Sequence, residues 1–323
     1  MSLLALTLAG CEVEFSPNAE WKEIPVVYCL LDQEDDTTWA RVEKCFLAEG
    51  NMRQYGGISD SINYPAGALE VSLLAIKGSG VVDSLPFTYT IRDHADGDFA
   101  SEGQPIYYCY TKNRLRQDCY YLLRIRRTAD NSILAEASTS LIVAQSGAQA
   151  VIQPNDNIPF GFSWTRNCKI TWRNYNNVRL YQPIVRFYYT YKYLDGDTHY
   201  VDFPCATRLT PPYADTYTIQ YSRDAFLASV AQYFQGDTNT KGYPMLFDIY
   251  ITMCDENMYA YMQSNSAGSG IEQGGEVYSN IKGGIGVFGS RRTHVRRAVP
   301  GDDNDREGVG MLSLLKSLNV GFK

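Results

Sequence analysis

The sequence predicts a mainly β protein: an N-terminal β-sandwich of immunoglobulin or transthyretin-like type, followed by a second β-rich domain that carries two short helices. Three observations predict it. Between about residues 22 and 150 the chain breaks into a succession of strand-length runs separated by turn residues. Farther on, the tyrosine-rich stretch "VRFYYTYKY" alternates with the period of two that a half-buried strand requires. Helical spacing interrupts this pattern only briefly, with none of the regular strand–helix alternation that a parallel sheet demands.

In the first domain the runs are "IPVVYCLLD", "WARVEKCFL", "ALEVSLLAIKG", "LPFTYTIRD", "PIYYCYT", "CYYLLRIRR" and "ILAEASTSLIV", most of them rich in β-branched and aromatic residues. Leu69, Val71, Leu73 and Ala75 fall on one face of the third. The small, polar stretch "AQSGAQAVIQPNDNIP" places a domain boundary near Asn155, giving a sandwich over residues 22–154 and a second domain over residues 155–290.

The second domain opens with a predicted hairpin. Val185, Phe187, Tyr189, Tyr191 and Tyr193 share one face, and Asp195-Gly196 supplies turn chemistry before "HYVDF" returns. "SRDAFLASVAQYFQG" then reads as a helix with Ser222 as N-cap, a stripe of Phe226, Val230 and Phe234, and Gly236 as the stop. "YPMLFDIYITMC" reads as a strand, "DENMYAYMQSNSAG" as a short capped helix, and "GGIGVFGS" as a glycine-rich strand. Residues 291–323 are expected to form a charged C-terminal tail, basic and then acidic, ending in an amphipathic helix with Met311, Leu314, Leu315 and Leu318 together.

A formal charge of -7 argues against a nucleic-acid partner, because a phosphate-binding groove needs an excess of Lys and Arg. The eight cysteines include no C-x-x-C spacing, so a zinc ribbon or redox pair lacks support. Cys29 and Cys45 lie inside apolar runs, where a free thiol packs as a small hydrophobe. No stretch approaches the roughly 20 apolar residues of a spanning helix.

Residues 1–21 read as the remnant of a lipoprotein signal and a tether. Leu8-Ala9-Gly10-Cys11 spells an aliphatic residue, two small residues and the Cys that receives the acyl chains, and "EVEFSPNAEWKE" follows as a polar leash. Cys11 is therefore the expected lipidation site, with membrane lipid as its partner.

Chemistry-bearing patterns are sparse. Gly284, Gly286 and Gly289 spell G-x-G-x-x-G, but no helix pattern follows at once, so close backbone approach is the better reading and no cofactor is expected. Asp93, Asp96 and Asp98 offer oxygen ligands for a metal, without the spacing of an EF-hand. Asp303, Asp305, Glu307 and Gly308 begin that spacing, yet the closing carboxylate position is Leu314. His94, His199 and His294 stand far apart, and neither H-E-x-x-H nor G-x-S-x-G occurs, so no catalytic residue is nominated. For ligand contact the sequence offers Tyr188, the one outward aromatic of the hairpin stretch, and the basic run Arg291, Arg292, Arg296 and Arg297, suited to phosphorylated headgroups.

The box at Cys11, "IPVVYCLLDQEDDTTWARVEKCFLAEG", "DSINYPAGALEVSLLAI", "CYYLLRIRR" and "VYSNIKGGIGVFGS" together resemble outer-membrane lipoproteins of Bacteroidota in the domain-of-unknown-function class, over roughly Cys11 to Ser290. The resemblance implies a lipid-anchored protein of the outer membrane, facing the cell exterior, with Glu12 and Glu14 compatible with surface export. It implies a non-enzymatic binding or structural subunit beside an outer-membrane β-barrel, such as a TonB-dependent receptor, or beside an envelope-assembly machine. The alternatives are a ligand-capturing lipoprotein for glycan or peptide uptake and, third, an envelope-acting hydrolase.

Overall fold

The computed structural model describes residues 24–45, 62–93, 103–144, 152, 167–192, 197–210, 216–244, 246–266, 278–301 and 310–323. They are mainly β. The first half supplies β1 (Pro25–Asp32), β2 (Thr37–Lys44), β3 (Leu69–Lys77), β4 (Gly80–Pro86), β5 (Thr88–Arg92), β6 (Gln104–Tyr110), β7 (Tyr120–Arg127), β8 (Ile133–Ser140) and the short β9 (Val143–Ala144). The second supplies β10 (Cys168–Arg173), β11 (Tyr175–Asn176), β12 (Leu180–Tyr191), β13 (Thr198–Pro204), β14 (Arg208–Leu209), β15 (Thr216–Tyr221), β16 (Lys241–Gly242), β17 (Leu246–Cys254) and β18 (Ile285–Pro300). Helices α1 (Arg223–Tyr233), α2 (Glu256–Ser266) and α3 (Met311–Ser317) complete the described elements.

One 10-stranded sheet runs through both halves in the order β13-β12-β17-β18-β1-β2-β6-β5, with β14 and β16 attached to β12. Its seam is the pairing of β1 with β18, which is parallel, with Val26 opposite Ile285 and Asp32 opposite Arg291. The glycine run of the sequence lies at this seam. Gly286 has φ +117, where L side chains rarely go, and a Cβ there would collide with the Val27 carbonyl. A four-stranded sheet, β4-β3-β7-β8, shares no strand with the large one.

Two cores lie along the large sheet. In the first, Val27, Cys29 and Leu31 of β1 and Val42 of β2 pack with Val71 and Leu73 of β3 and Tyr121, Leu123 and Ile125 of β7, so the two sheets close on one another. In the second, Val185, Phe187, Phe247, Ile249 and Ile251 meet Ile170, Trp172 and Ile219 of the β10–β15 ribbon, together with Phe226 and Val230 of α1. Phe187 is fully buried among the rings of Phe226, Tyr243, Phe247 and Phe322. Ser222 caps α1 through the Ala225 N–H, and Gly236, at φ +81, follows its end.

Residues 291–300, expected to begin a charged tail, instead continue β18 against β17, because the backbone of that segment pairs with β17 from Arg291 to Pro300, interrupted by one bulge. Met311 and Leu315 of α3 are fully buried in the second core, and Leu314 and Leu318 pack against it. The described cysteines are free thiols, and Cys29, Cys109, Cys119, Cys168 and Cys254 are buried. The boundary expected near Asn155 falls outside the described residues, as do Tyr193, Asp195 and Gly196.

Helix α2 is tied down at its start. The buried Asp255 carboxylate accepts the Met258 N–H at 2.9 Å, capping the helix, and the Thr139 hydroxyl of β8 at 2.6 Å. Burial pushes this carboxyl above its usual range, while the Thr139 and Met258 bonds pull it back. Gly289 keeps α2 close: a Cβ there would lie 3.3 Å from the Met258 nitrogen. The helix rests on β18, and Tyr261 meets Tyr28 of β1 edge-on with ring centres 5.9 Å apart.

Candidate functional site

The alternation that buries Val185, Phe187 and Tyr189 sends Arg186 and Tyr188 to the opposite face of β12. The same period in β13 buries Val201 and Phe203 and turns out Tyr200 and Asp202. Register brings these together, with Tyr188 opposite Tyr200 and Arg186 opposite Asp202 on one side and opposite Asp248 on the other. A strip of aromatic, basic and acidic side chains results.

Arg186 is its centre. The guanidinium donates from Nε to Asp202 Oδ1 at 2.7 Å and from Nη2 to Oδ2 at 2.9 Å, a two-pronged charge-assisted contact. Its carbon lies 3.8 Å from the Tyr200 ring centre and 4.6 Å from that of Tyr250, so both rings flank the cation. The Asp202 bond raises the Arg186 pKa further, which keeps the charge fixed. Tyr200 is 52% exposed.

Asp248 organises the rest. Its side chain is buried and gathers the Tyr188 hydroxyl at 2.9 Å, the Tyr250 hydroxyl at 3.4 Å and Arg297 Nη1 at 3.2 Å on Oδ2, while Oδ1 accepts the Ala298 N–H at 2.8 Å. Between Phe247 and Ile249 the pairing with β18 shifts register, and Arg297 and Ala298 bulge out against this one residue. Burial and the Asp248 bond push the Tyr188 phenol up to about 12. The Arg297 side chain stays 69% exposed.

Of the residues singled out in the sequence, Tyr188 and Arg297 thus meet at Asp248. Arg291 and Arg292 point to a different partner. Arg291 binds Asp32 at 2.9 Å and Asp35 at 3.5 Å, and Arg292 binds Glu34 at 3.0 Å, so the acidic turn after β1 neutralises both. Arg292 also donates to the Ile142 carbonyl at 3.2 Å and lies 5.5 Å from the Tyr175 ring centre. Arg296 stands opposite Ile249 in the β17–β18 ladder. Asp93 accepts the Gly103 N–H at 2.7 Å, whereas Asp96, Asp98 and Cys11 lie outside the described residues. Among the described residues no group of three or more His, Cys, Asp or Glu side chains comes together as a metal site. His199 stacks on Tyr189 with ring centres 5.5 Å apart, and His294 sits 6.3 Å from Tyr175.

Sequence reasoning missed Arg186, Tyr200, Asp202, Asp248 and Tyr250. Period two in "HYVDF" already placed Tyr200 and Asp202 on the face away from the core, so part of the signal was present. Asp248 was not legible, because its role depends on a bulge in a strand 49 residues farther on.

No family model matches the chain, and no curated protein matches it. Among solved structures it is similar to chains titled "Cytokine receptor complex - Crystal form 1A" and "Cytokine receptor complex - Crystal form 2", at 8% identity in both cases. The first match covers 72% of this chain and 86% of that one with a TM-score of 0.23, the second 70% and 89% with 0.21. Scores this low carry no functional argument.

Proposed function

We propose that the protein is a lipid-anchored module of the bacterial outer membrane, facing the cell exterior, that acts by binding rather than turnover as a subunit beside an outer-membrane β-barrel. The observation that carries this reading is the strip of Tyr188, Tyr200, Tyr250 and Arg186 on the face of the large sheet away from the second core. Tyrosine and arginine are the side chains that dominate protein-binding hot spots. Here they are held on strands rather than loops, with Asp202 and Asp248 fixing their rotamers, so little ordering entropy is lost on contact. The lipobox at Cys11 and the polar leash after it support the anchor, and a tethered module gains effective concentration toward a neighbour in the same membrane. The first half is, on this reading, an immunoglobulin or transthyretin-like sandwich, supported by the core that its two sheets share.

The test is purification of the native, lipidated protein from gently solubilised outer membranes, followed by mass spectrometry, with a Tyr200→Ala/Tyr250→Ala variant beside it. Recovery of one barrel in constant ratio, lost in the variant at unchanged melting temperature, is the expected result. Recovery of the protein alone, or of the barrel equally with the variant, overturns the reading.

A further inference from the structure

A separate cleft of about 440 Å³ opens where β8 meets the start of α2, and no part of the Tyr200 strip contributes to it. Tyr120, Ser138, Thr139, Asn177, Asp255 and Glu256 line it, and no aliphatic side chain does. We propose that this cleft is a binding site for a neutral saccharide of one or two sugar units.

An apolar ligand finds no aliphatic wall to replace its lost water, which excludes the usual small-molecule pocket. An anion meets the carboxylates of Asp255 and Glu256. A cation meets the positive end of α2, an 11-residue helix, and finds one oxygen of Glu256 already taken by Arg179, whose Nε lies 3.1 Å from Oε2. A polyhydroxyl compound suits what remains: hydroxyls, an amide, carboxylate oxygens, and one aromatic ring. Tyr120 is 42% exposed, and an exposed ring at the cleft offers the apolar face on which a sugar's C–H groups stack.

The walls are also set in advance. Asp255 is locked between Thr139 and the Met258 N–H, and the Ser290 hydroxyl reaches the Ser140 carbonyl at 2.7 Å. Asn177 donates its amide to the same Ser140 carbonyl, which leaves its own carbonyl oxygen as an acceptor. Ser138 and the free oxygen of Glu256 add further hydrogen-bonding capacity at the rim. Asn177 holds φ +62, a left-handed conformation that Asn tolerates better than other residues, so its side chain is delivered from a fixed turn. The cleft therefore presents the Asn177 and Glu256 oxygens as acceptors and the Ser138 hydroxyl as a donor, an arrangement that vicinal hydroxyls match.

The experiment is saturation-transfer NMR and calorimetric titration of the purified protein with maltose, lactose, cellobiose and chitobiose. The expected result is binding of at least one of them, weakened about tenfold, the equivalent of one hydrogen bond or stacking contact, in both Tyr120→Ala and Asn177→Gly, glycine being the residue that keeps the positive φ without strain. Both changes are at exposed positions, and an unchanged melting temperature shows that the fold persists. Tyr200→Ala is expected to leave the titration unchanged, which separates this site from the barrel-binding strip. Absence of signal for all four sugars, or binding that survives both cleft variants, overturns the proposal.

Discussion

Asp248 accepts the backbone N–H of Ala298 at 2.8 Å, and this bond closes the bulge that sets the β17–β18 register. Ala298 sits at φ +53, a conformation that costs an L-residue with a Cβ about 1–2 kcal/mol. Asp248→Ala leaves that N–H and the Tyr188 hydroxyl without their acceptor, and is expected to destabilise by about 2–4 kcal/mol in urea unfolding. Ala298→Gly is expected to stabilise by about 0.5–1 kcal/mol, since glycine adopts positive φ without strain. A loss of stability in the glycine variant contradicts the account of the bulge.

Asp255 yields a prediction with a pH sign. Its folded-state pKa lies above the ordinary carboxylate value because of burial. The folded chain therefore holds that proton where the unfolded chain releases it, and the Asp255 contribution to stability declines as pH rises through that range. Asp255→Asn keeps the cap on Met258 and lets the Thr139 hydroxyl turn to accept, so it is expected to flatten this decline at a cost of less than about 1 kcal/mol. Asp255→Ala loses the cap and strands a buried hydroxyl, for about 2–3 kcal/mol. Urea midpoints of the three proteins between pH 4 and 8 separate these outcomes.

Lys241 is fully buried and donates to the carbonyls of Asp237, Asn239 and Val320 at 3.1, 2.9 and 2.9 Å, pinning the C-terminal segment to the loop before β16. Lys241→Met is expected to cost about 2–4 kcal/mol, because the buried carbonyls lose a charged donor. Truncation after Asn319 removes the Val320 carbonyl and Phe322 from the same cluster. The two changes combined are expected to cost at least about 1 kcal/mol less than their sum. Strict additivity in denaturant unfolding argues against the pin.

Asp237 fixes the acid side. Desolvation acts upward on its pKa, but bonds from the Tyr191 hydroxyl, the Asn239 N–H and the Lys241 ammonium overcome it and hold the carboxyl down to about 2. With the folded value below the unfolded one, its contribution is present above the ordinary carboxylate pKa, near 4, and is lost as pH falls toward 2. Asp237→Asn is expected to remove that part of the acid-side loss in a pH series of melting temperatures.

Gly286→Ala tests the seam between the halves. The added methyl collides with the Val27 carbonyl at a residue whose φ is +117, and neither backbone can retreat without breaking the β1–β18 ladder. A loss of about 4 kcal/mol or more is expected, seen as insoluble or protease-sensitive protein. Gly80→Ala, with open space around it and an ordinary φ, serves as the tolerated control.

Local structure is legible in the sequence wherever backbone geometry imposes a period. Alternation in "VRFYYTYKY" placed Phe187 and Tyr189 inward and Tyr188 outward, and the stripe of Phe226, Val230 and Phe234 is fully buried beside a Ser222 cap. These patterns are readable because pleat and helix repeat within a few residues. Which strands become neighbours is set by long-range packing. Val26 lies against Ile285, the basic run of β18 splits between Asp248 and the acidic turn at Asp32 and Glu34, and a lysine in the loop-like "TNTKGYP" becomes a buried pin. Such pairings join residues up to 259 positions apart. They are chosen by the collective burial of two cores and the need to satisfy every backbone group, and no local pattern encodes that choice.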